Sequence, residues 1–152
     1  MAQNFNPIYT LTPNVGSGKI TTTATNPRSD GGATNAIGTD QFLVFTSGAS
    51  GSFIQRVRFN TVASAAGVNS VATTLRVFLS STGSGTPTST NTSLLAEISV
   101  PAISTANSTA ATNYYEIPLN IAVPASRYIL VSQHVAQTTN QQWQATVFGG
   151  DY

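Results

Sequence analysis

From Ser52 the chain reads SFIQRVRFNT, in which apolar and polar side chains alternate. A period of two sends successive side chains to opposite faces of a pleated strand. Here it sets Phe53, Val57 and Phe59 toward a core and Ile54, Arg56, Arg58 and Asn60 away from it. A second run, TTLRVFLSS from Thr73, opposes Leu75, Val77 and Leu79 to Arg76 and Ser80. Phe78 falls on the outer side of that strand, which predicts partial cover there by another element or a partner.

The same reasoning predicts strands at KITTTAT from Lys19, DQFLVFT from Asp40, LLAEISV from Leu94, YYEIPLNI from Tyr114, RYILVSQHV from Arg127 and QWQATVF from Gln142. Between them lie NPRSDGG, TSGASG, SSTGSGTPTST and TANSTAATN, rich in residues that turn the chain by positive φ, fixed φ or local side-chain hydrogen bonds. ASAAGVNSVAT reads as a loop, because Gly67 and Asn69 interrupt any helical turn. Short strands split by turn signals predict an all-β protein of about eight antiparallel strands, a sandwich or a barrel. No internal repeat accompanies them.

The first eighteen residues break the pattern. NFNPIYTLTPNVGSG has spaced apolar groups, two prolines and a glycine-rich exit. Proline lacks a ladder donor and disfavours a central strand. Residues 1–18 are therefore expected to form an extended arm, and 19–152 a single domain. Phe5, Ile8, Tyr9 and Leu11 are more apolar than a solvated tail requires, which makes the arm a candidate contact with another surface.

Composition narrows the function classes. Only 7% of residues are charged while 40% are hydrophobic, opposite to the balance of disordered chains. Ser and Thr make up about a quarter of the chain, and Thr favours half-buried pleated surfaces. A formal charge of +1 lacks the basic footprint that repeated phosphate contacts need, so nucleic acid is not the expected partner. No apolar run approaches the roughly 20 residues of a membrane span, and the start lacks a basic segment followed by an apolar one. A soluble protein without a membrane partner is expected. With no cysteine, disulfides, thiolate catalysis and zinc-thiolate sites are all absent.

Candidate chemistry is sparse. The acids are Asp30, Asp40, Glu97, Glu116 and Asp151, with His134 the only histidine. Glu97 and Glu116 take outward strand phases, where an ion pair with Arg56, Arg58 or Arg76 is the expected role. Metal sites need several ligands close together, and His134 has no second histidine to join it. RSDGGATN has one acid and no lysine, so a turn on Asp30-Gly31-Gly32 is expected in place of a calcium or phosphate loop. GSGK at Gly16 to Lys19 precedes a β-like stretch where a phosphate loop needs a helix. No GxSxG elbow is present. Two Asn-x-Ser/Thr sequons, at Asn91 and Asn107, read as loop residues. No catalytic residue, cofactor or metal is expected.

The last stretch, SQHVAQTTNQQWQATVFGGDY, holds His134 and the only tryptophan, Trp143. Tyr114, Tyr115, Asn140 and Trp143 form a candidate glycan platform, in which a ring stacks on a sugar face. The competing role for Trp143 is to close one end of the sandwich. A hairpin between the last two strands would bring His134 and Trp143 together. Phe148, a turn at Gly149-Gly150 and the aromatic end at Tyr152 are candidates for a subunit contact.

In order, IGTDQFLVFTSGASGSFIQRVRFNTVAS, TTLRVFLSS, LLAEISVPA and NYYEIPLNIAVPASRYILVSQHVAQTTNQQWQATVFGGDY resemble small virion proteins of tailed bacteriophages. The resemblance runs from Ile37 onward and is to capsid decoration, or cement, proteins and related head or tail components. It implies a β-sandwich, often jelly-roll-like and trimeric, bound to the major capsid protein lattice. It also implies a place on the capsid surface of the virion after synthesis in the bacterial cytoplasm. A glycan-binding head or tail adhesin, or another minor head or tail protein, is the alternative.

Overall fold

The computed structural model describes residues 10–64, 69–103 and 114–152. Eight strands run β1 (Thr12–Ile20), β2 (Phe42–Thr46), β3 (Ser52–Ala63), β4 (Thr73–Ser80), β5 (Thr92–Val100), β6 (Tyr114–Val123), β7 (Tyr128–Gln133) and β8 (Gln141–Asp151). They form two four-stranded sheets, ordered β1-β8-β3-β6 and β2-β7-β4-β5, with every pair antiparallel. That alternation between sheets is the jelly-roll order. The fold is the expected all-β sandwich.

The core lies between the inward faces. Ile20, Ile54, Val57, Phe59, Leu75, Val77, Ile129, Val131, Trp143, Ala145 and Val147 are fully enclosed there. Trp143 meets Tyr115 edge-on, with ring centroids 5.9 Å apart. Aromatic pairs favour this offset because the positive edge of one ring faces the negative face of the other.

Three sequence expectations shift. The strand expected from Lys19 runs from Thr12 instead, so the latter half of the supposed arm belongs to the sheet. Its inward positions are Asn14, Gly16 and Gly18, which give no apolar signal. Glycine is needed at 16, where an added Cβ would lie 2.0 Å from the Val44 carbonyl oxygen of the facing sheet. Pro13 is tolerated because β1 is an edge strand, as is β6 with Pro118. The rest of the arm, with Phe5, Ile8 and Tyr9, lies outside the described residues, as does all of TANSTAATN.

Secondly, β3 carries a bulge between Ile54 and Arg56. A bulge inserts one residue and reverses the facing of what precedes it. Ile54 is therefore buried and Phe53 half-exposed, the reverse of strict alternation. Thirdly, Gly149 and Gly150 do not turn the chain: β8 continues through them, paired with both β1 and β3. Gly149 sits beside the bulge, where a Cβ would come 2.5 Å from the Phe53 carbonyl oxygen.

The chain seals one outer face itself. On the outer side of the β2-β7-β4-β5 sheet, Phe78 pairs with Leu130, and both are fully buried outside the main core. The connection from Thr21 to Gln41 lies over them. Arg76 donates to the Asn26 carbonyl at 2.8 Å, Ala33 N–H to Pro87 O at 3.0 Å and Ile37 N–H to Gly85 O at 2.8 Å. Buried Gln133 secures its start by donating to the Ala24 carbonyl at 2.7 Å. The cover expected over Phe78 thus comes from the protein's own chain.

Trp143 is the most telling residue to change. Trp143→Ala should cost about 3–5 kcal/mol in equilibrium unfolding, the range for losing a buried aromatic. Intact Trp143 should emit in the blue and resist acrylamide quenching; solvent-like emission from the folded protein would contradict its burial.

Candidate functional site

The opposite outer face, that of the β1-β8-β3-β6 sheet, has no such cover among the described residues. Register places Val15, Phe148, Arg56 and Pro118 side by side across its four strands. The next row is Ser17, Thr146, Arg58 and Glu116, and the one after it Lys19, Gln144, Asn60 and Tyr114. Val15 is 59% exposed and Tyr114 58%, so apolar groups face solvent at both edges.

At the centre of the face the charges and rings are coupled. Glu116 Oε1 accepts from Arg58 Nε at 2.8 Å, Arg58 Nη2 at 2.7 Å and Arg56 Nε at 3.1 Å. The Arg56 guanidinium lies 4.4 Å from the Phe148 ring centre, and that of Arg58 4.6 Å from Tyr114 and 5.4 Å from Phe148. A cation over an aromatic face is attracted by the ring quadrupole, more strongly once water is removed. The strand pattern requires this clustering: β3 sends Arg56 and Arg58 outward on one side of the bulge, between the strands bearing Phe148 and Glu116. The expected ion pairs are present, with Arg76 also holding Glu97 at 2.9 Å.

The remaining acids serve the fold. Asp40 accepts from the Thr34 and Asn35 backbone N–H groups at 3.0 and 2.9 Å and orders the covering connection. Asp30 pairs with Arg28 at 2.5 Å and accepts from Gly32 N–H at 3.0 Å, closing the expected turn. Asp151 accepts Asn14 Nδ2 at 3.0 Å, Ser52 Oγ at 2.5 Å and Gly48 N–H at 3.2 Å, fastening β1, β3 and the β2–β3 turn to β8. Sequence reasoning did not foresee this junction, because the partners of Asp151 lie 99 to 137 residues from it along the chain.

Three of the carboxylates are lowered by such contacts. The Arg28 hydrogen bond, helped by Gly32 N–H, lowers Asp30 to about 2. Arg58, with help from Arg56, lowers Glu116. Asn14 and Ser52, then Gly48 N–H, lower Asp151. A general acid at neutral pH needs the opposite shift. Among the described residues, no three His, Asp or Glu side chains converge on a point where a metal could sit.

The glycan platform does not assemble. Trp143 has no exposed surface, and its Nε1 has no hydrogen-bond partner among the described residues. Tyr115 turns inward to meet it, while the neighbouring Tyr114 faces out over Arg58. Asn140, with φ 69°, is an exposed turn residue ahead of β8. Nor do His134 and Trp143 meet across a hairpin. β7 and β8 belong to different sheets, so the residues between them cross from one sheet to the other. His134 is an exposed residue whose Nδ1 lies 3.4 Å from Arg76 Nη1.

Of the suggested contact residues, Phe148 lies on the open face. Leu11 is 85% exposed at the edge of that sheet, its N–H donating to Asp151 O at 2.8 Å. Tyr152 is half-buried, with its hydroxyl enclosed and its N–H donating to Gly51 O at 3.1 Å.

Fold and site together define a jelly-roll sandwich with one face sealed by its own chain and the other open among the described residues, bearing an arginine-aromatic cluster. Comparison with family models, curated proteins and solved structures finds no match.

Acid should loosen the fold in a defined window. A carboxylate held below its unfolded pKa stabilises fully above the unfolded value, and the effect is lost as pH falls through the folded one. With ordinary values of 3.8 for Asp151 and 4.5 for Glu116, both lowered by folding, the urea midpoint should fall below about pH 4. Asp151→Asn should flatten part of that fall; an identical slope in the variant would remove Asp151 from the account.

Proposed function

We propose that this protein is a structural component of a tailed-bacteriophage virion that binds the major capsid protein lattice through the open β1-β8-β3-β6 face. The observation that carries the reading is the cluster of Arg56, Arg58, Phe148, Tyr114 and Glu116 on that face. Arginine and aromatic residues are the types enriched at the centres of protein interfaces. Glu116 Oε1 takes all three of the arginine donors, and among the described residues Oε2 is left to accept from a partner. The resemblance of the chain from Ile37 onward to decoration proteins supplies the identity of the partner.

The protein acts as a homo-oligomer, a trimer being favoured by that resemblance, so several modest contacts act together. Linked sites raise apparent affinity without any one contact being strong. Few long charged side chains are available to be immobilised, which keeps the entropic cost of docking low. Phe5, Ile8 and Tyr9, which precede β1 in the chain, supply apolar groups to the same contact.

Addition of purified protein to undecorated phage heads, with density on the shell measured by cryo-electron microscopy, tests this reading. Phe148→Ala combined with Arg56→Ala should weaken occupancy by about thirtyfold or more, the equivalent of about 2 kcal/mol for an interface centre. Removal of residues 2–9, which leaves β1 intact, should also lower occupancy. Full decoration by the folded double variant would overturn the docking face, and density at the neck or a fibre in place of the shell would overturn the capsid partner.

A further inference from the structure

Five of the six basic residues in the chain are arginine, and four of them are committed to carboxylates: Arg28 to Asp30, Arg56 and Arg58 to Glu116, and Arg76 to Glu97. Arg127 differs. Its guanidinium makes no ion pair or hydrogen bond with any described residue, yet its backbone is fixed on both sides. Its N–H donates to Ser47 Oγ at 2.9 Å and its carbonyl accepts Ser47 N–H at 2.9 Å. Ser47 Oγ in turn donates to Pro124 O at 2.9 Å, and Ser126 between them holds φ at 57°. The β6–β7 turn therefore presents Arg127 from a rigid base.

Arg127 borders a depression of about 340 Å³ between that turn and the base of the β4–β5 hairpin. Ser81, Asn91 and Ser93 line it with polar groups, and Leu79 and Pro124 give it an apolar patch. Asn91 is oriented by its neighbours: Oδ1 accepts from Thr88 N–H at 2.9 Å and Thr92 Oγ1 at 2.8 Å. Its Nδ2 donors are left without a protein acceptor among the described residues. Ser93 Oγ is likewise unengaged among them.

We propose that this depression binds one carboxylate-bearing sugar unit of an acidic saccharide, with Arg127 receiving the carboxylate. The guanidinium fork matches a planar carboxylate with two parallel hydrogen bonds, and a backbone fixed in advance lowers the ordering cost. Hydroxyls of the sugar meet Asn91 Nδ2, Ser81 and Ser93, and its C–H face rests on Leu79 and Pro124. The volume is at the small end for ligand sites, which suits a single ring better than a chain. None of these residues lies on the open face, so saccharide binding and capsid docking stand or fall separately.

The test is an amide NMR titration of the intact 152-residue chain with methyl glucuronide and with N-acetylneuraminic acid. Methyl glucoside and sodium sulfate at matched ionic strength serve as the other arms. At least one acidic sugar should shift the Ser81, Asn91, Ser93 and Arg127 signals saturably, with Kd of about 1 mM and binding at least about tenfold tighter than for glucoside or sulfate. Arg127→Gln should abolish the shifts while keeping a dispersed spectrum, and Arg127→Lys should restore part of the affinity. Three results would each overturn the proposal: no saturable shift with either acidic sugar, equal affinity for glucoside or sulfate, or unchanged binding by Arg127→Gln or by a folded Arg127→Lys compared with the wild type.

Discussion

The last strand must insert between the first strand and β3, and the rest of the structure depends on that pairing. β8 is hydrogen-bonded to β1 from Trp143 to Asp151 and to β3 from Gln141 to Asp151. One strand thereby delivers Trp143 to the core, Phe148 to the open face and Asp151 to the junction that closes the sandwich end. Until β8 is in place, β1 has no neighbour in its own sheet and β3 has an unpaired side. Such long-range pairing bears the loop-closure entropy before its contacts form, so topology of this kind folds slowly for its size. The Asp151 junction, drawing on Asn14, Gly48 and Ser52, is the local lock on a global constraint.

What could be read from the chain follows from where apolar side chains carry the pattern. β4 and β7 bury Leu75, Val77, Ile129 and Val131 in the core and Phe78 and Leu130 on the other side, so their dense apolar runs mark them as strands. β1 contributes only glycine and asparagine inward until Ile20, because its backbone itself presses on Val44. A hydrophobic template has nothing to register there. The β3 bulge deceives differently: each residue around it is apolar enough, but the added residue reverses which of Phe53 and Ile54 faces in. Rarity also misled. Trp143 is unique in the chain because a single large ring fills the core against Tyr115, which has no bearing on ligand chemistry.

The candidate site was legible only as parts. The outward phases of Arg56, Arg58 and Glu116 were readable from alternation, and so were their ion pairs. Their convergence with Phe148 was not, since it requires knowing that β8 lies next to β3, across a separation that local patterns do not encode. The Arg127 depression was hidden for a similar reason. Its walls come from a hairpin and a distant turn, and its distinguishing feature is that Arg127 has no side-chain partner among the described residues, which a sequence does not display.

The arginine-glutamate cluster invites a stability explanation, and magnitude argues against one. The side chains of Arg56, Arg58 and Glu116 keep 30%, 34% and 32% of their surface in water. Ion pairs exposed to this degree contribute about 0–1 kcal/mol, which salt reduces further. Phe148, half-buried beneath the two arginines, forgoes only part of the gain that full burial inside the sandwich would bring. An isolated monomer would lose little if the three charged residues were small and polar. The same groups change in value when a second surface excludes water, since cation-π attraction and charge-assisted hydrogen bonds strengthen as the local dielectric falls. The sealed face makes the comparison internal to the molecule: there Phe78 and Leu130 are buried beneath the chain's own connection, so the fold has the means to cover a sheet where covering serves stability. Among the described residues nothing covers the β1-β8-β3-β6 face, whose most interactive side chains lie at its centre, and that is the arrangement which the proposed docking would complete.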